Sequence, residues 1–130
     1  MAAVYLDASA AAKLLLNEFE SSALRTYLGR RSSQASSALL RAELMRAARR
    51  ADIERVGDAR AILARINLRE VDDEVLVRAG EIAPHSLRTL DAIHIATATL
   101  LGPDLEVVVT YDRRMIEAAH LYGLPVVSPA

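Results

Sequence analysis

Glu106-Val107-Val108-Val109-Thr110, followed two residues later by Asp112, is the stretch whose reading decides the fold. Its valines favour an extended chain, because branching at Cβ suits a pleated, packed surface better than a helix. The run is short and apolar without alternation, which marks a strand buried on both faces, as in a parallel sheet. Val4-Tyr5-Leu6 has the same form near the N-terminus and also stops at an acid, Asp7. In open α/β sheets ligands bind beyond the carboxyl ends of the strands, so the two acids are expected at one functional rim.

Between these strands the apolar spacing predicts helices over Ser9 to Leu16, Ser21 to Arg30, Ala38 to Ala51, Ile53 to Ile66, Asp73 to Ala83 and Leu87 to Leu101, with a last one over Arg113 to Tyr122. Gln34 to Ser36, Leu68 to Val71 and Pro125 to Val127 are candidate strands. Strands alternating with helices imply an α/β sandwich around a mostly parallel sheet. Breaks are expected at Gly29, Pro84-His85-Ser86, Gly102-Pro103-Asp104 and Gly123-Leu124-Pro125, none of them as long as an interdomain linker. With 130 residues and 52% hydrophobic composition, residues 1–130 are expected to form one domain.

Composition narrows the chemistry. The chain has no cysteine, which excludes disulfides, thiol nucleophiles and cysteine-ligated metal sites. Met1 to Leu16 is apolar but lacks a basic lead-in and is interrupted by Asp7 and Lys13, so it reads as neither signal peptide nor membrane span. A cytoplasmic protein with no membrane association is the expectation. A formal net charge of -1 excludes a protein that coats nucleic acid by bulk charge, so any such contact must be local.

Two further acids stand where acids are uncommon. Asp91 lies in the largely apolar Leu87-Arg88-Thr89-Leu90-Asp91-Ala92-Ile93-His94-Ile95-Ala96, with Leu87, Leu90 and Ile95 near its face at helical spacing. An unpaired carboxylate buried there costs several kcal/mol, on the order of the effective penalty seen in proteins, so an arginine or a metal ion is required beside it. A partner of the helix dipole is the competing reading. Glu43 has Leu39, Leu40 and Ala47 as helical neighbours, whereas Arg41, Arg49 and Arg50 mark solvent-facing positions. For Glu43 an ion pair with Arg46 competes, and for Asp7 and Asp112 simple helix capping does.

If the four acids converge, each pair about 4 Å apart repels by roughly 4 kcal/mol at an effective dielectric near 20. A divalent cation removes that conflict, and an all-oxygen donor set suits Mg²⁺ or Mn²⁺ better than zinc or calcium. Such an ion helps a water attack phosphorus and stabilises charge on the leaving oxygen, which is phosphodiester hydrolysis without a covalent enzyme intermediate.

Taken in order, Tyr5-Leu6-Asp7-Ala8-Ser9-Ala10, Ala42-Glu43-Leu44, Leu90-Asp91-Ala92-Ile93-His94-Ile95-Ala96, Val109-Thr110-Tyr111-Asp112-Arg113-Arg114 and the closing Gly123-Leu124-Pro125-Val126 resemble the PIN-domain family. Within it they are similar to the VapC-type toxins of toxin–antitoxin pairs. The resemblance implies a three-layer α/β/α sandwich, a homodimer, and an endoribonuclease requiring Mg²⁺ or Mn²⁺. It carries the catalytic and metal-site roles onto Asp7, Glu43, Asp91 and Asp112, with Asp112 leaning most on the resemblance. It places Ser9 and Thr110 beside the acids as groups that orient a carboxylate or bind phosphate. It also implies an RNA substrate and a VapB-like antitoxin whose C-terminal segment covers the site.

Other residues carry blander readings. His94, three residues from Asp91, is expected to be structural or to support a ligand, because no second histidine follows at ligand spacing. His85 and His120 are expected at the surface. Lys13 either reaches phosphate or snorkels, and Arg46, Arg49 and Arg50 form a solvated face unless they guide RNA or an antitoxin. With Phe19 the only phenylalanine and no tryptophan, broad base stacking is not expected. A phosphoaspartyl receiver requires paired acids after the first strand and a late lysine, and this chain has Asp7-Ala8-Ser9 and no lysine after Lys13. A haloacid-dehalogenase-like phosphatase requires an aspartate where Ser9 stands. A catalytically inactive PIN-like binding module remains the alternative.

Overall fold

The computed structural model describes residues 2–31 and 33–130. Five strands, β1 (Ala3–Leu6), β2 (Gln34–Ser37), β3 (Asn67–Arg69), β4 (Leu105–Val109) and β5 (Val126–Val127), form one sheet in the order β3-β2-β1-β4-β5. All four pairings are parallel. The order reverses at β1, so successive crossovers run outward to β2 and β3 and then back to β4 on the other side. In open α/β sheets ligands bind at such a switch point, here beyond the ends of β1 and β4.

Side chains of a strand alternate between faces. Val4 and Leu6 of β1, with Val107 and Val109 of β4, face a cluster built from α1 (Ala8–Leu15), α2 (Ser21–Gly29), α3 (Leu40–Ala51) and α4 (Val56–Ala64). Tyr5 and Val108 face the other way, towards Ala98 of α6 (Thr89–Leu100), which packs with α5 (Asp73–Glu81) and α7 (Arg113–Leu121). The result is a three-layer α/β/α sandwich. Among the described residues no helix is long and apolar enough to cross a membrane.

Two helices matter for the site. In α3 the buried residues Leu40, Leu44 and Ala48 recur every fourth position, forming one apolar stripe with Glu43 on its flank. In α6 every residue from Ala92 to Ala98 is buried, because the helix is covered by the sheet on one side and by α5 and α7 on the other. Small residues at Ala92, Ala96 and Ala98 allow that close approach. Each fully buried Leu or Ile contributes about 1.5–3 kcal/mol relative to exposure.

The expected elements are present with shifted ends. The helix expected over Ile53 to Ile66 is broken: Ile53–Arg55 is a 3₁₀ turn and α4 starts at Val56. Asp52 caps that turn through the Glu54 N–H, Arg55 Nη1 donates to the Leu15 carbonyl at 2.9 Å, and Ile53 is 60% exposed. Local hydrogen bonding and an anchor on α1 thus override the apolar period there. Gly29 ends α2 as expected of a helix stop, and Gly102 and Gly123 adopt positive φ of 54° and 65°, the conformation that favours glycine at a turn.

Candidate active site

Asp7 and Thr110 follow directly on the paired ends Leu6 and Val109, so the register alone sets them side by side. Thr110 Oγ1 donates to Asp7 Oδ2 at 2.5 Å, and Ser9 Oγ donates to Asp7 Oδ1 at 2.7 Å. The same Oδ1 accepts the Ala10 N–H at 3.0 Å and caps α1. Asp7 is therefore both a cap and a member of a hydroxyl-bound cluster, and the two readings left open by the sequence are compatible. Because each hydroxyl has one proton and both are given to Asp7, the 3.2 Å approach of Ser9 Oγ to Thr110 Oγ1 is a contact without a shared proton. Each hydroxyl also accepts: Ser9 Oγ from the Tyr111 N–H at 2.9 Å, and Thr110 Oγ1 from the Asp112 N–H at 3.1 Å. Burial pushes the Asp7 carboxyl above its ordinary value, opposed by the hydrogen bonds from Thr110, Ser9 and Ala10 and by the nearby His94.

Asp112 caps α7, its Oδ1 accepting the Arg114 N–H at 2.8 Å. Asp91 stands in the first turn of α6 and is only partly buried. Of the apolar neighbours expected for it, Ile95 is buried and Leu87 half-buried, whereas Leu90 is 48% exposed at the open end of the helix. What raises the Asp91 carboxyl above its ordinary value is partial burial first and then the charge of Asp112, with Asp7 adding to it and His94 and Arg88 opposing. Asp91 thus feels the charge of two acids that come from other elements.

Glu43 joins the group through a histidine. Its Oε1 lies 2.7 Å from His94 Nε2, and the other ring nitrogen, Nδ1, lies 2.7 Å from the Tyr5 hydroxyl. The competing pair with Arg46 does not form, and Arg46 is exposed. Sequence reasoning placed His94 in a supporting role and missed Tyr5 altogether. The available signal was a tyrosine inside a strand otherwise made of aliphatic residues, whose hydroxyl needs a partner when buried.

Among the described residues none of the four acids is paired with arginine or lysine. Lys13 is engaged elsewhere, 2.8 Å from Glu20 and over the Tyr111 ring. The donor chemistry of carboxylates and hydroxyls without a neutralising cation fits a hard divalent ion. Among the same residues no three acid or histidine side chains are already arranged to hold a metal, so the acids form a charged rim and not a closed cage. His85 and His120 lie at the surface, and Arg49 and Arg50 are exposed as a solvated face.

A family profile for the PIN domain matches residues 4–121. Ribonuclease VapC46 of Mycobacterium tuberculosis is 50% identical over 130 residues, covering 100% of both chains. A toxin–antitoxin complex from Klebsiella pneumoniae superposes with a TM-score of 0.75 at 22% identity, over 99% of this chain and 98% of the other. DNA-bound VapBC from Salmonella typhimurium gives a TM-score of 0.75 at 18% identity, over 98% of each chain. At those identities the two structures speak for the fold.

Proposed function

This chain belongs to the PIN-domain family, and from that premise we propose that it is a Mg²⁺- or Mn²⁺-dependent endoribonuclease, the toxin of a VapBC-type pair. The observation that carries the reading is that the charges of Asp112 and Asp7 act on Asp91 at this end of the sheet while, among the described residues, no arginine or lysine forms an ion pair with any of the three. The ribonuclease names of relatives such as VapC46 support the substrate class. Residues 1–130 are taken as one nuclease domain.

In this reading Asp7, Glu43, Asp91 and Asp112 hold the ion. When bound, it supplies activation of water and stabilisation of charge on the phosphate. Ser9 and Thr110 fix the Asp7 carboxylate by donating to its two oxygens, so that its orientation is set before substrate arrives. The backbone N–H groups of Tyr111 and Asp112 in turn lock both hydroxyls. Recognition of RNA falls to local positive charge, because the chain as a whole has a net charge of -1.

A VapB-like antitoxin and a homodimer belong to the same proposal, and light scattering of the free chain and of the co-expressed pair tests both. Cleavage of an RNA panel in Mg²⁺ or Mn²⁺ by protein freed of antitoxin tests the activity. Asp91→Asn is expected to abolish cutting while the variant stays folded. The inactive binding module is favoured by one observation, the absence among the described residues of three side chains ready to hold an ion. Failure of the parent chain to cut any RNA in either metal decides for it.

A further inference from the structure

We propose that Tyr5 and His94 form a positioning relay that fixes Glu43 at the acid rim. The inference deepens the nuclease reading and rests on it for the role of Glu43. Neither residue is among the acids and hydroxyls of the site, and both are buried, Tyr5 at 0% and His94 at 1% exposure.

The direction of donation follows from counting protons. With Glu43 Oε1 as the acceptor of the 2.7 Å contact, the proton between them lies on His94 Nε2. With Nε2 as the donor to Glu43, the neutral ring has Nδ1 bare, and the Tyr5 hydroxyl 2.7 Å away is the donor to it. Tyr5 therefore selects the ring form in which Nε2 is the donor. The two rings meet edge to face, 5.8 Å between centroids at 77°, which holds the imidazole plane as well as its tautomer.

The relay crosses the fold: a strand residue of β1 sets a helix residue of α6, which sets a residue of α3. Glu43 would otherwise have three free side-chain torsions in a site where it is 17% exposed. His94 engages Oε1, and among the described residues no hydrogen bond occupies Oε2, which leaves that oxygen free to take a ligand. Groups that orient ligating side chains typically alter metal affinity or activity about 10- to 100-fold when removed.

The test begins with metal-free protein carrying ¹⁵N-labelled histidine. Long-range ¹H–¹⁵N correlation spectra are expected to show a proton on His94 Nε2, and a bare Nε2 overturns the relay. Mn²⁺ titration of the parent, Tyr5→Phe, His94→Leu and His94→Gln then reads its consequence. His94→Leu is expected to weaken Mn²⁺ binding and lower kcat about 10- to 100-fold with KM little changed. His94→Gln, whose amide N–H reaches towards the Nε2 position, should recover most of that loss. Tyr5→Phe keeps the ring and is expected to lose less than His94→Leu. Folded His94→Leu with the parent's Mn²⁺ affinity defeats the proposal, and should that variant not fold, unchanged affinity in Tyr5→Phe does so. If the parent binds Mn²⁺ in a His94-dependent way yet cuts no RNA, the nuclease reading fails and the relay stands.

Discussion

Thr110 gives its only hydroxyl proton to Asp7 across the seam between β1 and β4, at 2.5 Å, with both side chains almost wholly buried. Ser9 satisfies the other carboxylate oxygen, so the acid is held at both ends. Thr110→Val keeps the shape and removes the donor, leaving Asp7 Oδ2 and the Asp112 N–H without this partner. Hydrogen bonds to charged groups contribute about 1.5–3 kcal/mol, and a loss of roughly 2 kcal/mol in urea denaturation is expected. A loss below about 0.5 kcal/mol would show that water replaces the hydroxyl without penalty.

The Asp91 carboxyl is raised by burial and by Asp112, which gives its pH dependence a definite sign. A carboxyl with a folded-state pKa above its unfolded value binds its proton more tightly when folded. It favours the folded state below the ordinary carboxylate range, and that contribution is lost as pH rises through the folded pKa. In chelator, Asp91→Asn should therefore be more stable than the parent at neutral pH, with the gap closing as pH falls through the carboxylate range. Denaturant midpoints across that range read it directly. A gap that does not change with pH would remove the charge conflict on which the metal argument depends.

The acids were legible in the sequence for different reasons, and so were the errors. Asp7 and Asp112 follow from strand ends, because a short β-prone run fixes where its rim lies. Asp91 stands out for its apolar neighbours, yet Leu90 is exposed, and beside partial burial it feels the charge of acids from distant segments, which spacing does not show. For Glu43 the sequence offers only a competing partner three residues on, Arg46, whereas the side chain it meets, His94, lies 51 positions away, and Tyr5 lies 89 positions from His94. Spacing rules describe one element at a time, so contacts between α3, α6 and β1 were out of their reach. The break at Ile53 was hidden for a related reason, since the Leu15 carbonyl that holds Arg55 belongs to another helix.

Metal removal and return give a prediction independent of RNA. An ion that binds only the folded state stabilises it by about 2.7 kcal/mol at a concentration roughly one hundred times its Kd. Mg²⁺ or Mn²⁺ should raise the Tm of the chelator-treated parent, and the rise should be much smaller for Asp91→Asn. Identical melting with chelator and with saturating Mn²⁺ would count against a site formed by these acids.

Asp112 has two duties in the proposal, and two substitutions separate them. Its Oδ1 caps α7 through the Arg114 N–H, while its charge acts on Asp91. Asparagine caps a helix about as well as aspartate, whereas alanine at such a position costs about 1 kcal/mol. Asp112→Ala should therefore be destabilised by about that amount and Asp112→Asn much less, as read by urea denaturation in chelator. If the carboxylate also serves the metal, the two variants lose RNA cleavage alike despite their different stabilities, because both lack the charge. Parental cleavage by a folded Asp112→Asn would reduce this residue to a cap and leave the ion to Asp7, Glu43 and Asp91.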